Sequence, residues 1–192
     1  MTPFPTSGED WSLRTATAAD RPAVTTIWAQ SFGAVEADDD CLSMAFGDAP
    51  ATCVVATDPD DQVVGFIVVA LVDQVFLRDY LDDHPVTDSL PARVTIIHML
   101  GVDPEWRSTG VATGLVQCSM NWATGRAPMM VVVLWRRENH VDSSELTRKF
   151  DYEEVCTLDG YYDGREECPD CQETCTCDAT VHVKDLDSPP SH

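Results

Sequence analysis

Arg107, Ser108, Thr109, Gly110, Val111 and Ala112 bring one permanent cation and a run of small residues to the start of an apolar, helix-periodic stretch. Small residues let backbone N–H groups come close to a ligand. The first turn of a helix adds unpaired donors at the positive end of its dipole. The chemistry of such a loop is anion binding, and a phosphate beside Arg107 suits it. No G-x-G-x-x-G follows the preceding strand and no Gly-Lys-Ser/Thr closes the loop, so it is neither a dinucleotide fingerprint nor a Walker loop.

A second constellation is Cys168, Cys171, Cys175 and Cys177, packed as Cys-x2-Cys and then Cys-x-Cys into a hydrophilic stretch. Tetrahedral zinc takes four thiolates, and Cys-x2-Cys is a usual half-site, although Cys-x-Cys is tighter than a standard ribbon. Asp170 and Glu173 lie among them, but thiolates outcompete carboxylates for a soft metal. Structural zinc, a redox dithiol pair and unliganded thiols all stay open, with zinc leading for an intracellular chain. Cys41, Cys53, Cys118 and Cys156 are dispersed among apolar residues and read as small buried hydrophobes.

Strands and helices must hold these groups. Trp11 to Thr15 alternates as a first strand, and Thr17-Ala18-Ala19-Asp20 forms a capping box with Pro22 in the turn after it. Val24, Ile27, Trp28 and Phe32 carry a first helix, and a short second one is expected over Asp40 to Phe46. Cys53 to Thr57 and Gln62 to Val72 read as strands joined by the turn Asp58-Pro59-Asp60-Asp61. Gln74 to Pro91 reads as a helical turn plus a surface loop. Val94 to Val102 is a buried strand, Thr109 to Thr124 a helix stopped by Gly125 and Pro128, and Met129 to Trp135 a further strand. A helix from about Ser143 to Phe150, opened by Asp142 and Glu145, precedes closing strands over Tyr152 to Thr157 and Ala179 to Lys184.

The loop after the central strand resembles the acyl-CoA loop of the GNAT superfamily of N-acyltransferases. There the pattern is Arg/Gln-x-x-Gly-x-Gly/Ala after a strand ending in Val-x-Pro. Arg107, Gly110 and Ala112 fill the pattern, and Val102 and Pro104 precede it. The order of elements is also the GNAT order, so the resemblance covers roughly residues 11 to 186. It implies an α/β (α+β) domain with a GNAT-type mixed, mostly antiparallel sheet flanked by helices, and a Cys-rich loop between the last two strands. It further implies acetyl-CoA as cosubstrate and a primary amine, on a protein or a small molecule, as acceptor, attacked directly in a ternary complex. Arg107 to Ala112, with Asn139, would bind the cosubstrate. The Val102 backbone would pair with the pantetheine arm, and the Leu100 N–H would face the thioester carbonyl. Gly101 would mark a bulge or close approach in the strand, or simply a tolerated glycine.

His98 lies on the Leu100 and Val102 face by the two-residue strand period and titrates near neutrality, which suits a base. The alternative is a satisfied core histidine. The general acid departs from the resemblance. Thr147 follows Leu146 where the family has a tyrosine, Asp151 stands for the Gly before Tyr152, and His140 fills an asparagine slot that Asn139 misses by one. Tyr161 and Tyr162 are substitutes of the right chemistry, with packing as the competing role. The cysteine pattern is similar to that of certain archaeal members.

Residues 1–10 are expected to be a flexible N-terminus, residues 11–186 one domain that includes the Cys-rich insertion 160–178, and residues 187–192 a tail. No signal-peptide pattern opens the chain, and the run Val63 to Val72 is too short to span a bilayer, so a cytoplasmic protein without a membrane partner is expected. The formal net charge is -21, and Lys149 and Lys184 are the only lysines. With no basic patch to release counterions, nucleic acid is excluded as partner. Acid spread along the whole chain fits solubility in a high-salt cytoplasm, and steering of a cationic acceptor is the alternative. A homodimer stays open. The competing functions are a non-catalytic acyl-CoA-binding or regulatory module and an interaction domain organised by zinc.

Overall fold

Among the described residues, seven mainly apolar stretches form strands: β1 (Ser12–Thr15), β2 (Ala51–Thr57), β3 (Val63–Asp73), β4 (Arg93–Val102), β5 (Met129–Trp135), β6 (Glu153–Leu158) and β7 (Ala179–Asp185). The helices are α1 (Arg21–Phe32), α2 (Asp40–Phe46), α3 (Gln74–Tyr80), α4 (Val111–Ala123) and α5 (Ser144–Lys149), with 3-10 turns at Ala18–Asp20, Pro85–Ser89 and Pro104–Trp106. The computed structural model describes residues 8, 10–33, 40–47, 50–137, 143–163, 171 and 175–187. The strands are hydrogen-bonded in the order β1-β2-β3-β4-β5-β7-β6, and β1/β2, β2/β3, β5/β7 and β6/β7 pair antiparallel. This is the α/β architecture with a mostly antiparallel sheet and flanking helices that the element order implied. The chain divides into two compact units, Met1–Ala70 with Ile97–Trp122, and Leu71–Ile96 with Ala123–His192.

In the first unit, Val64 through Ala70 of β3 are all buried, the pattern of a strand covered on both faces. Val24, Ile27 and Trp28 of α1 pack on Cys53, Val55, Phe66 and Val68, with Met99 of β4 and Phe46 of α2 at the margin. The opposite face carries α4: a Cβ on Gly65 would stand 2.9 Å from Val111 Cγ1 and 3.4 Å from Leu115 Cδ1. α1 is anchored through Asp20, whose carboxylate accepts from Arg14 Nη1 and Nη2 at 2.7 and 2.8 Å and from the Thr17 N–H at 2.7 Å. The expected capping box therefore doubles as a tie between helix and strand β1.

In the second unit, the β3–β4 connection is more ordered than expected. α3 and the 3-10 turn Pro85–Ser89 replace most of the anticipated loop. Asp73 caps α3 by accepting from the Val75 and Phe76 N–H groups at 3.0 Å, and Gln74 Nε2 donates to the Thr87, Leu90 and Pro91 carbonyls. Clamps between distant residues of this kind leave no periodic trace. β5, β7 and β6 form the rest of the unit, with a register shift between Glu154 and Cys156 on β6. The Asp142 part of the cap expected on α5 lies outside the described residues.

Candidate functional site

Alternation along β4 divides its residues between the two faces of the first unit. Met99 packs with the α1 cluster, and a Cβ on Gly101 would stand 2.6 Å from Phe66 Cε1 and 3.2 Å from Ile27 Cγ2. The space that a side chain would fill at Gly101 is thus taken by an aromatic ring of the core. By the two-residue period His98, Leu100 and Val102 face the other way, toward the side that carries α4. All three are half-buried, and His98 Nδ1 is shielded from solvent.

Beyond β4 the chain turns sharply. The Asp103 N–H donates to the Val64 carbonyl at 3.0 Å, and Asp103 Oδ1 accepts from the Glu105 N–H at 2.9 Å. The Trp106 N–H then closes onto the Asp103 carbonyl at 2.9 Å, so Arg107 leaves a tight 3-10 turn. Ser108 (φ 65) and Gly110 (φ 93) take left-handed backbone, which explains why α4 begins at Val111 and not at the expected Thr109. Ser108, Thr109 and Gly110 are exposed, whereas Val111 is buried against Gly65.

Two carbonyls of this loop are held by hydrogen bonds, one from Trp11 and one from the first turn of α4. Thr109 O accepts from the Trp11 indole Nε1–H at 3.2 Å, and Gly110 O accepts from the Gly114 N–H at 3.0 Å. A trans peptide sets its N–H opposite its C=O. The Gly110 and Val111 N–H groups therefore point away from the protein side that holds those carbonyls. Adjacent amides aimed outward at a helix start, preceded by Arg107, are the arrangement that binds an anionic oxygen. Trp11 was read from sequence only as the start of a strand; its role here rests on a contact 98 residues away in sequence.

The second unit holds the remaining candidates. Tyr161 is 7% exposed, and its hydroxyl donates to the Tyr80 carbonyl, which supports the packing alternative for that residue. Tyr162 is half-buried, stacks on Trp135 at 4.3 Å between ring centroids and meets Tyr161 edge-on at 4.9 Å. Its N–H donates to the Cys177 carbonyl at 3.3 Å. Thr147, in the position where the resemblance has tyrosine, is buried with its hydroxyl donating to the Ser144 carbonyl. Asp151 adopts φ 55, the left-handed conformation that glycine favours, so this departure keeps the local backbone. Tyr152 beside it is buried, its phenol pushed up by desolvation and placed 2.8 Å from Met130 Sδ.

Cys171, Cys175 and Cys177 bring their sulfurs within 4.8 Å of one another, with Cys171 and Cys177 3.5 Å apart. Four thiolates around zinc at 2.3 Å stand about 3.8 Å apart, so these three suit three corners of such a tetrahedron. Cys168 and Asn139 lie outside the described residues. Of the dispersed thiols, Cys53 is pushed up to about 12 by burial and by the nearby Asp20 charge, and burial also raises Cys118 and Cys156. Cys53 is buried as expected, Cys118 and Cys156 are half-buried, and the Cys41 side chain lies outside the described residues.

The sequence pattern of the Acetyltransferase (GNAT) family matches residues 16–152. No protein of curated function matches the chain by sequence. Among solved structures, Arabidopsis thaliana NAA60 in complex with a bisubstrate analogue is similar at a TM-score of 0.70 and 15% identity, over 91% of this chain and 97% of that one. The ribosomal-protein-S18-alanine N-acetyltransferase from Escherichia coli is similar at 0.64 and 13% identity, over 94% and 96%. A Drosophila melanogaster polyamine N-acetyltransferase that forms N-acetylagmatine is similar at 0.66 and 17% identity, over 92% and 100%.

Proposed function

Since the chain belongs to the acetyltransferase (GNAT) family and is thereby an acetyl-CoA-dependent acyltransferase, we propose that it moves the acetyl group to a primary amine by direct attack in a ternary complex. The observation that carries this reading is the pair of outward amides at Gly110 and Val111 behind Arg107. Arg107 through Ala112 grip the pyrophosphate of acetyl-CoA, and the Val102 backbone pairs with its pantetheine arm. The half-buried face of β4 holds the reacting end. His98 takes the proton of the acceptor ammonium, directly or through water, and frees the nitrogen lone pair. The lone pair attacks the thioester carbonyl, a C–N bond forms, and negative charge gathers on the carbonyl oxygen. The Leu100 N–H steadies that oxygen, a contact worth roughly 3 kcal/mol at the transition state. Collapse breaks the C–S bond, and the CoA thiolate leaves to take up a proton. Tyr161 and Tyr162 are the candidates to deliver it.

Zinc held by Cys171, Cys175 and Cys177 with Cys168 supplies a structural tie for the insertion between β6 and β7, taking no part in the reaction. The acidity serves solubility in a salt-rich cytoplasm. Residues 11–186 act as one acyltransferase domain, and the acceptor is the amine of a protein lysine, a protein N-terminus or a small molecule. A thiol-release assay with acetyl-CoA and a panel of amines and peptides at high salt tests the activity. Arg107→Ala should weaken acetyl-CoA binding about tenfold, the loss of a charge-assisted phosphate contact. Unchanged affinity by calorimetry would remove the pyrophosphate assignment, and binding without transfer to any amine would favour the non-catalytic module.

A further inference from the structure

We infer that Trp11 is a positioning residue for the cosubstrate: its indole N–H holds the Thr109 carbonyl so that the Gly110 N–H faces the bound anion. The inference rests on the reading of this loop as the acetyl-CoA site. Trp11 is 9% exposed and its ring lies against the first turn of α4. A Cβ on Gly114 would overlap that ring, and one on Gly110 would stand 3.9 Å from it. Gly8 also lacks the Cβ that would collide with the indole, and its N–H donates to the Trp11 carbonyl at 2.8 Å. Gly8 thus meets the five-membered end of the indole and Gly114 the six-membered end, and the ring's single donor, Nε1, is directed at one carbonyl, Thr109 O at 3.2 Å.

The physical consequence follows from the rigidity of the peptide unit. A planar trans amide cannot present its C=O and its N–H to the same side, so fixing Thr109 O on Trp11 fixes the Gly110 N–H on the opposite side. Gly110 lies at φ 93, in backbone with little intrinsic preference for this peptide orientation, so an external hydrogen bond has to choose it. Without the indole donor the Thr109–Gly110 peptide is free to rotate, and the amide is lost to the anion for part of the time. Cosubstrate affinity is the quantity affected, because the amide touches a phosphate far from the thioester.

Trp11→Phe keeps an aromatic ring in the slot and removes the donor. Acetyl-CoA Kd by calorimetry should rise about threefold to tenfold, the scale of one hydrogen bond. Turnover at saturating acetyl-CoA and the acceptor KM should stay at parent values when measured well below the melting temperature. Gly114→Ala, which displaces the ring without altering Trp11, should raise the Kd in the same way and leave turnover at saturation in place, while the overlap with the ring lowers the melting temperature. An unchanged Kd in Trp11→Phe while Arg107→Ala weakens binding would overturn the role of Trp11 and leave the acetyl-CoA loop standing. An unchanged Kd in Arg107→Ala as well would remove the loop assignment and the inference with it. A fall in turnover and a rise in acceptor KM in step with the loss of affinity would mark a general structural part, and would also overturn it.

Discussion

Replacing Gly101 by alanine tests the packing that separates the two faces of β4. The added Cβ would lie 2.6 Å from Phe66 Cε1 and 3.2 Å from both Phe66 Cζ and Ile27 Cγ2. Carbon atoms rest at about 3.5–4.0 Å, so the shortfall against the ring is about 1 Å. Phe66 is 0% exposed and stacks on Trp28 with centroids 6.5 Å apart, and Ile27 is also buried, so neither can move into solvent. Overpacking of an enclosed site costs typically about 1–3 kcal/mol, and the upper half of that range applies here. In a chain of this size that lowers the melting temperature by about 5–10 °C. Thermal unfolding followed by circular dichroism at high salt measures it. Phe66→Leu in the same chain removes the clashing edge, so the double variant should recover at least about 1 kcal/mol relative to the sum of the single changes. A single variant that melts within about 1 °C of the parent, or strict additivity in the pair, would refute the reasoning.

Asp20→Asn should destabilise the fold by about 1–2 kcal/mol, because it leaves Arg14, about a third exposed, with only the exposed Asp61 as an ionic partner. Arg14 and the Thr17 donors hold the Asp20 carboxyl far below the usual range, so its stabilisation is complete above about pH 4 and is lost as pH falls from there toward the folded value. Melting temperature against pH should therefore fall on the acid side in the parent and fall less steeply in Asp20→Asn; equal slopes would contradict the pairing. His98→Ala should lower turnover and leave acetyl-CoA affinity in place, and a parent-like rate from about pH 6 to 9 would exclude His98 as base. Cys171→Ser should reduce the zinc found by elemental analysis after chelator-free purification and lower the melting temperature, whereas parent protein with far less than one zinc per chain would discard the metal.

The loop from Val102 to Ala112 was legible because its chemistry is local: the arginine, the small residues and the helix start are neighbours in the chain. The strands were legible because Val94 to Val102 and Met129 to Trp135 are apolar runs bounded by turn residues, and β4 and β5 include them. Other features depend on residues that only the fold brings together. Gln74 clamps carbonyls up to 17 residues away, Tyr161 meets the Tyr80 carbonyl 81 residues away, and no spacing announces either. The start of α4 was misplaced by two residues because left-handed backbone at Ser108 is set by the turn around it, and serine itself carries no signal for it. Thr147 and Asp151 show opposite outcomes of the same kind of departure. Asp151 preserves a backbone conformation, whereas Thr147 turns its hydroxyl onto its own helix.

The tie between Trp11 and Thr109 also sets a timetable for biosynthesis. The two residues are 98 positions apart, and ribosomes add about 5–20 residues per second, so about 5–20 s pass between the appearance of the indole and that of its acceptor. During that interval a large aromatic side chain waits without the α4 turn that later encloses it. The turn before α4 is thus completed by a residue made long before it. A bulky fusion joined ahead of Gly8 would weigh on the docking of the indole and so be felt at a turn 98 residues further along the chain.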